Sequence, residues 1–193
     1  MPARTDHDAR RRDVAEAVWR VLRRTGFAGL GMRAVAAELG ASTGLLTHYF
    51  ASKRELVLHA LELLHERTDE RLGDTPGDPG LAALRLRLRS VLPLDPEGAE
   101  LSRIWVGFWD LALVDDDLGR REAARYDRWR ARLRPLVEAA FERGELAPAD
   151  AETVLDILTA FTHGIVVQAL FDPGRFPPAR QLADLDAVLA RLS

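Results

Sequence analysis

The stretch Met32-Arg-Ala-Val-Ala-Ala-Glu-Leu-Gly40, continued through Ala41 into Ser42-Thr-Gly-Leu-Leu-Thr-His-Tyr-Phe-Ala-Ser-Lys53, decides the fold. Its apolar residues recur at helical spacing, so Met32 to Leu39 reads as a short helix stopped by Gly40. Ser42 is a good N-cap for a second short helix reaching about Tyr49. Two short helices joined by a three-residue turn containing Gly form a helix-turn-helix, whose second helix can enter a major groove. Two packed helices of an ordinary bundle have the same outline. Content separates the two readings: Thr43, Thr47, His48, Tyr49, Lys53 and Arg54 are hydroxyl and cationic donors suited to phosphates and base edges.

Working outward, Val14, Ala17, Val18, Val21 and Leu22 mark one face of a helix from about Arg10 to Thr25, stopped by Gly26. Ser52-Lys-Arg-Glu55 is a capping box that opens a helix to roughly Arg71. The Gly- and Pro-rich run from Gly73 to Gly80 breaks the chain. Beyond it, helices are expected over Leu81–Leu92, through Ile104–Val114, from Asp115 to about Arg143, from Pro148 through Phe171, and from Pro177 to the C-terminus. No segment alternates with a strand's period. The expectation is an all-α chain of about nine helices: a three-helix helix-turn-helix domain over 1–55 and a helical bundle for ligand binding and dimerisation over 56–193.

The chain has 193 residues, ample for a hydrophobic core, with 47% hydrophobic and 30% charged residues. Cysteine is absent, which excludes disulfides, thiolate metal sites and cysteine nucleophiles. The polar start lacks a signal peptide's apolar stretch, so a cytoplasmic location is expected. Val154–Phe171 is interrupted by Asp156, His163 and Gln168, and reads as a buried helix rather than a membrane span. Net charge is −3, unevenly spread: residues 1–60 carry ten basic and six acidic side chains, and residues 61–193 carry seventeen and twenty-four. A basic N-terminal third on an acidic body marks a local polyanion-binding patch. Of the 27 basic residues, Lys53 alone is lysine.

Gly40-Ala-Ser42-Thr-Gly44 matches the nucleophile elbow Gly-x-Ser-x-Gly, and Gly29-Leu-Gly31-Met-Arg-Ala34 the dinucleotide fingerprint. Both chemistries need a preceding strand, and both runs here follow a helix. His59, Glu62 and His65 sit three apart on one helix, a total rotation of about 300°, so they diverge instead of converging on a metal. No metal, cofactor or catalytic constellation emerges, and a non-enzymatic protein is expected. The alternative is a helical-bundle binding protein or enzyme whose N-terminal motif is inert. Ile104 to Val114 is apolar except at Asp110, so it is expected inside the domain, with Asp110 needing a buried partner. Trp105, Phe108, Trp109, Trp129 and Phe161 read either as ordinary core or as pocket walls. Lone His163 is most simply a core histidine whose hydrogen bonds are satisfied.

The residues from Met32 to Lys53 resemble the N-terminal domain of the TetR family of repressors, and the Ser-Thr-Gly-x-x-Thr/Ser-His-Tyr-Phe form resembles its BetI branch. Arg103-Ile-Trp105-Val-Gly-Phe-Trp109, Tyr126-Asp-Arg-Trp129-Arg and His163-Gly164 before Gln168-Ala-Leu-Phe171 are similar to the BetI-type regulatory domain. The resemblance implies a homodimer that binds a palindromic double-stranded DNA operator and releases it when a small-molecule effector binds. It also implies a DNA-binding set of Arg33, Ser42, Thr43, Gly44, Thr47, His48, Tyr49 and Lys53, with Thr43 and Gly44 near bases and His48, Tyr49 and Lys53 at phosphates. Two positions depart from the family: Gly31 replaces a capping Thr, and Thr47 stands where many members have Tyr. An effector pocket is expected around His59, Leu63, Trp105, Phe108, Trp109, Asp110, Trp129, Phe161 and His163, its aromatics and Asp110 favouring an apolar or cationic molecule. Choline-like and flat hydrophobic compounds both remain open. The expected dimer face is Gly164, Val167, Gln168 and Phe171 with Leu185, Val188 and Leu189.

Overall fold

The computed structural model describes residues 3–74 and 77–193; Thr75 and Pro76 of the expected breaker lie outside the described residues. Among the described residues there are nine helices and no strand: α1 (Ala3–Thr25), α2 (Met32–Leu39), α3 (Thr43–Leu46), α4 (Lys53–Leu72), α5 (Leu81–Ser90), α6 (Pro96–Val114), α7 (Asp116–Glu142), α8 (Ala151–Phe171) and α9 (Pro178–Leu192). They fall into two compact units. Unit 1 runs to Glu70 and also takes in Arg103–Leu111 of α6; unit 2 is Arg71–Ser102 with Ala112–Ser193. The helix-turn-helix thus belongs to a unit larger than the 1–55 segment, holding most of α4 and the middle of α6.

Unit 1 is built on the expected apolar faces. Val18, Val21, Val35, Leu46, Leu56 and Leu64 are fully buried, as are Phe27 and Phe108, whose rings meet at a tilt of 55° with centroids 5.2 Å apart. Two ion pairs fasten α1 to α2: Arg20 Nε at 2.7 Å and Arg24 Nη1 at 2.8 Å both donate to Glu38. The Arg24 and Arg20 hydrogen bonds hold the Glu38 carboxyl below its usual pKa.

The turn between α2 and α3 is a Schellman motif. Gly40 takes a left-handed conformation (φ 64°, ψ 31°); its N–H donates to Ala37 and that of Ala41 to Ala36. The capping box of α4 also forms. Ser52 Oγ accepts from Glu55 N (3.1 Å), while the Glu55 carboxylate accepts from Ala51 N (2.8 Å). Gly31 gives α2 no side-chain cap, as its replacement of a Thr implies.

In unit 2, α5, α7, α8 and α9 enclose Leu84, Leu88, Leu133, Val137, Leu155 and Leu158. α7 and α8 run antiparallel. Arg130 pairs with Asp156 (2.8 Å), Arg134 with Glu152, and the Tyr126 and His163 rings meet at 5.1 Å. Arg85 holds α5 to α9 through two hydrogen bonds to Asp186. α8 starts at Ala151 rather than at Pro148, because the Asp150 carboxylate accepts from Thr153 N (2.9 Å) and sets the helix start there. Among the described residues α8 alone is long and apolar enough to cross a membrane; 44% of that stretch is buried inside the protein.

Replacing Gly40 with Ala places a Cβ in a left-handed turn, so denaturant unfolding should show a loss of about 1 kcal/mol. An unchanged midpoint would mean the turn can relax.

Candidate nucleic-acid interface

A four-residue helix does not hold itself together, so α3 depends on what surrounds it. Ser42 caps it, its Oγ accepting from Leu45 N at 3.3 Å. Leu46 is fully buried and Phe50 nearly so, and they pin the segment to the unit 1 core. Hydrogen bonds from His48 N, Tyr49 N and Phe50 N to Leu45 and Leu46 carbonyls carry it beyond Leu46 as turns, where a continuous helix to Tyr49 was expected. The opposite side faces solvent. Arg33 on α2, Ser42, Thr43, Gly44, Thr47 and His48 around α3, and Lys53 at the start of α4 are exposed, and Tyr49 is half-buried.

Three details bear on what this surface can do. A Cβ at Gly44 would meet only Ser42 Oγ, at 3.7 Å, so the fold does not itself require glycine there. Its absent side chain instead lets another surface approach the backbone. Thr47 donates its hydroxyl to the Gly44 carbonyl (2.7 Å), leaving that oxygen to act outward as an acceptor. Lys53 is the first residue of α4, where the helix dipole disfavours a cation, and a phosphate there reverses that penalty.

Family comparisons agree over both units. Residues 14–60 match the model for bacterial regulatory proteins of the tetR family, and residues 80–193 match that for the BetI-type transcriptional repressor, C-terminal. The chain belongs to the TetR family of transcriptional regulators. It is 31% identical to the HTH-type transcriptional regulator PksA of Bacillus subtilis over 91% of this chain and 85% of that protein. It is 24% identical to the HTH-type transcriptional regulator BetI of Vibrio atlanticus over 90% and 86% of the two chains. A transcriptional regulator from Rhodococcus superposes with a TM-score of 0.81 at 25% identity, covering 94% of each chain.

Against this TetR-family frame, the expected pocket residues divide between the units. His59, Leu63, Trp105, Phe108, Trp109 and Asp110 lie in unit 1, and Trp129, Phe161 and His163 in unit 2. The seam between α4 and the middle of α6 is closed by protein. Trp105 Nε1 donates to Thr68 Oγ1 (2.8 Å), Thr68 donates to Leu64 O (2.7 Å), and His65 lies on the Trp105 ring at 5.3 Å. Phe108 is fully buried there. His59 packs on Phe50 at 5.3 Å, at the end of the Ser42–Phe50 segment.

Asp110 departs from expectation: it is exposed, so water solvates its charge and no buried partner is needed. The helix is not apolar toward protein on every side, since Leu113 and Val114 are more than four-fifths exposed. Leu185 and Leu189 also depart. They are buried in unit 2's own core, so they are not surface for a second copy. Val188 is half-buried beside them. The side of α9 turned outward carries Ala179, Ala183, Ala187 and Ala190.

Sequence reasoning missed one cluster in unit 2. Glu122 and Arg125 form a bidentate ion pair (2.6–3.0 Å), and the Arg125 guanidinium lies 4.8 Å from the Tyr126 ring centroid. Tyr126 in turn meets His163, whose Nδ1 donates to Thr159 O at 2.9 Å. The signals were a Glu-x-x-Arg spacing on α7 and a Thr-x-x-x-His spacing on α8.

Burial first, and then the nearby Arg125 charge, push His163 down to about 4, so it is neutral at pH 7. Its folded pKa lies below its unfolded value of 6.5. Between those values the unfolded chain binds the extra proton, and acid destabilises the fold. Wild type should lose on the order of 3 kcal/mol relative to His163→Gln between pH 7 and pH 4, read by denaturant unfolding at each pH. Parallel pH profiles would contradict a buried neutral histidine.

Proposed function

We propose that this TetR-family regulator is a repressor that binds a palindromic operator as a homodimer and leaves it when a small molecule occupies unit 2. The observation that carries the reading is the exposed donor set from Ser42 to Lys53, presented by a segment that gives the core only Leu46 and Phe50. The reading includes no catalytic step, and action on DNA places the protein in the cytoplasm. Thr43 and the bare backbone at Gly44 approach bases; His48, Tyr49 and Lys53 take phosphates; Arg33 reaches either.

The outward face of α8 supports dimerisation. Ile157, Ala160, Gly164, Val167, Gln168 and Phe171 share it, with Phe171 81% exposed. A Cβ at Gly164 would meet nothing within 4 Å of its own chain, so this mid-helix glycine, costing about 1 kcal/mol, has no reason inside the protomer. Close approach of a second α8 supplies one. The alanines of α9 extend the same kind of surface, in place of Leu185 and Leu189. Response to a ligand follows from α6, an unbroken helix with its middle in unit 1 and its ends in unit 2. A ligand that displaces α6 carries Trp105, and through Thr68 carries α4, changing the spacing of the two DNA-binding segments.

Lys53→Ala should weaken binding to all DNA sequences about equally and lower the log–log salt slope by about one unit, whereas Thr43→Val should change sequence preference. A salt slope untouched by Lys53→Ala removes its phosphate role. Gly164→Glu with Val167→Glu should give monomers in sedimentation and abolish tight operator binding. Dimers that persist would place the interface elsewhere.

A further inference from the structure

The α7–α8 seam of unit 2 holds two buried polar atoms without partners: Trp129 Nε1 and Thr159 Oγ1. Both residues are more than nine-tenths buried. The antiparallel register puts them opposite each other, between the Tyr126–His163 contact and the Arg130–Asp156 pair. Thr159 is unlike other helical threonines of this chain. Thr25, Thr68 and Thr162 each donate the hydroxyl to the carbonyl four residues back, at 2.6–2.9 Å. The Thr159 hydroxyl makes no such bond. An indole N–H can only donate, and a hydroxyl freed from its own helix can donate too. Two donors facing across one seam suit a single oxygen acceptor, and leaving them bare is costly.

The walls also set the charge of what fits. Glu122 is engaged by Arg125, Arg130 and Arg134 are paired with Asp156 and Glu152, and His163 is uncharged at neutral pH. No surplus charge remains among these groups to compensate a buried ion. Tyr126 and Trp129, one turn apart on α7, supply aromatic surface beside the donors.

From this geometry we infer that the α7–α8 seam binds a small uncharged aromatic molecule whose carbonyl or ether oxygen accepts from Trp129 Nε1 and Thr159 Oγ1. Its role as the releasing signal rests on the regulator reading above; its chemistry does not. The choline-like cation left open by the sequence is disfavoured, because Asp110 is exposed and Glu122 already has its counter-charge.

The test is calorimetric titration of the full chain with two neutral aryl ketones, acetophenone and 2-acetonaphthone, and with benzyltrimethylammonium and benzoate as charged counterparts. At least one ketone should saturate one site per chain, at least tenfold tighter than either ion. Trp129→Phe and Thr159→Val should each weaken the ketone about tenfold. Without ligand, both variants should melt at or above the wild-type temperature, because each removes an unsatisfied buried group. The proposal is overturned if neither ketone saturates, if an ion binds as tightly, if both variants bind the ketone unchanged, or if both melt several degrees lower. Retention of operator DNA by the unliganded protein is read separately. Lost DNA binding with intact ketone binding sinks the regulator reading alone; the reverse pattern sinks this site alone.

Discussion

A recognition helix of four residues cannot be stable by itself, and this constraint organises unit 1. The segment keeps its shape because Gly40 turns the chain through a left-handed conformation, Ser42 caps the new helix, and Leu46 and Phe50 sink into the core behind it. Each contributes on the order of 1–3 kcal/mol, and together they offset the entropy of fixing so short an element. Ser42 and Thr47 face outward and also brace this segment, while Thr43, Gly44, His48 and Lys53 are exposed beside them. Under the proposed function, those four residues are the ones that serve DNA.

A second constraint concerns α6. Trp105 and Phe108 fill unit 1 beside Phe27 and His65, and the indole N–H is tied to Thr68 of α4. A fully buried ring cannot move without moving its neighbours, since packed interiors switch between discrete arrangements instead of yielding continuously. The middle of α6 belongs to unit 1, and His59 on Phe50 ties α4 to the Ser42–Lys53 segment.

Local signals made most of the fold legible in the sequence. Helices α2 and α4 are bounded by Gly40 and the Ser52 capping box, which act over three or four residues and need no tertiary information. The exposure of the polar side chains from Ser42 to Lys53 was equally readable, because that segment has only Leu46 and Phe50 to bury. Orientation was harder to read. Leu185 and Leu189 have the same stripe whether they face their own core or a partner, and periodicity cannot separate those cases. The apolar run around Asp110 suggested a buried charge, yet two of its apolar neighbours, Leu113 and Val114, are themselves exposed. The Trp129–Thr159 pair was invisible, since it depends on the α7–α8 register and on a hydroxyl declining its usual helical bond.

The central claim is that two copies of the Ser42–Lys53 segment, related by a dyad, read duplex DNA. Selection of binding sites from random duplex DNA by the full chain, followed by footprinting of the enriched sequence, tests it most directly. The account predicts an inverted repeat, with half-sites centred on successive or next-but-one major grooves of one face, multiples of about 10 base pairs apart. Protection should be confined to those grooves and their flanking phosphates. Enrichment of a single unrepeated site, or no enrichment above non-specific binding, would contradict it.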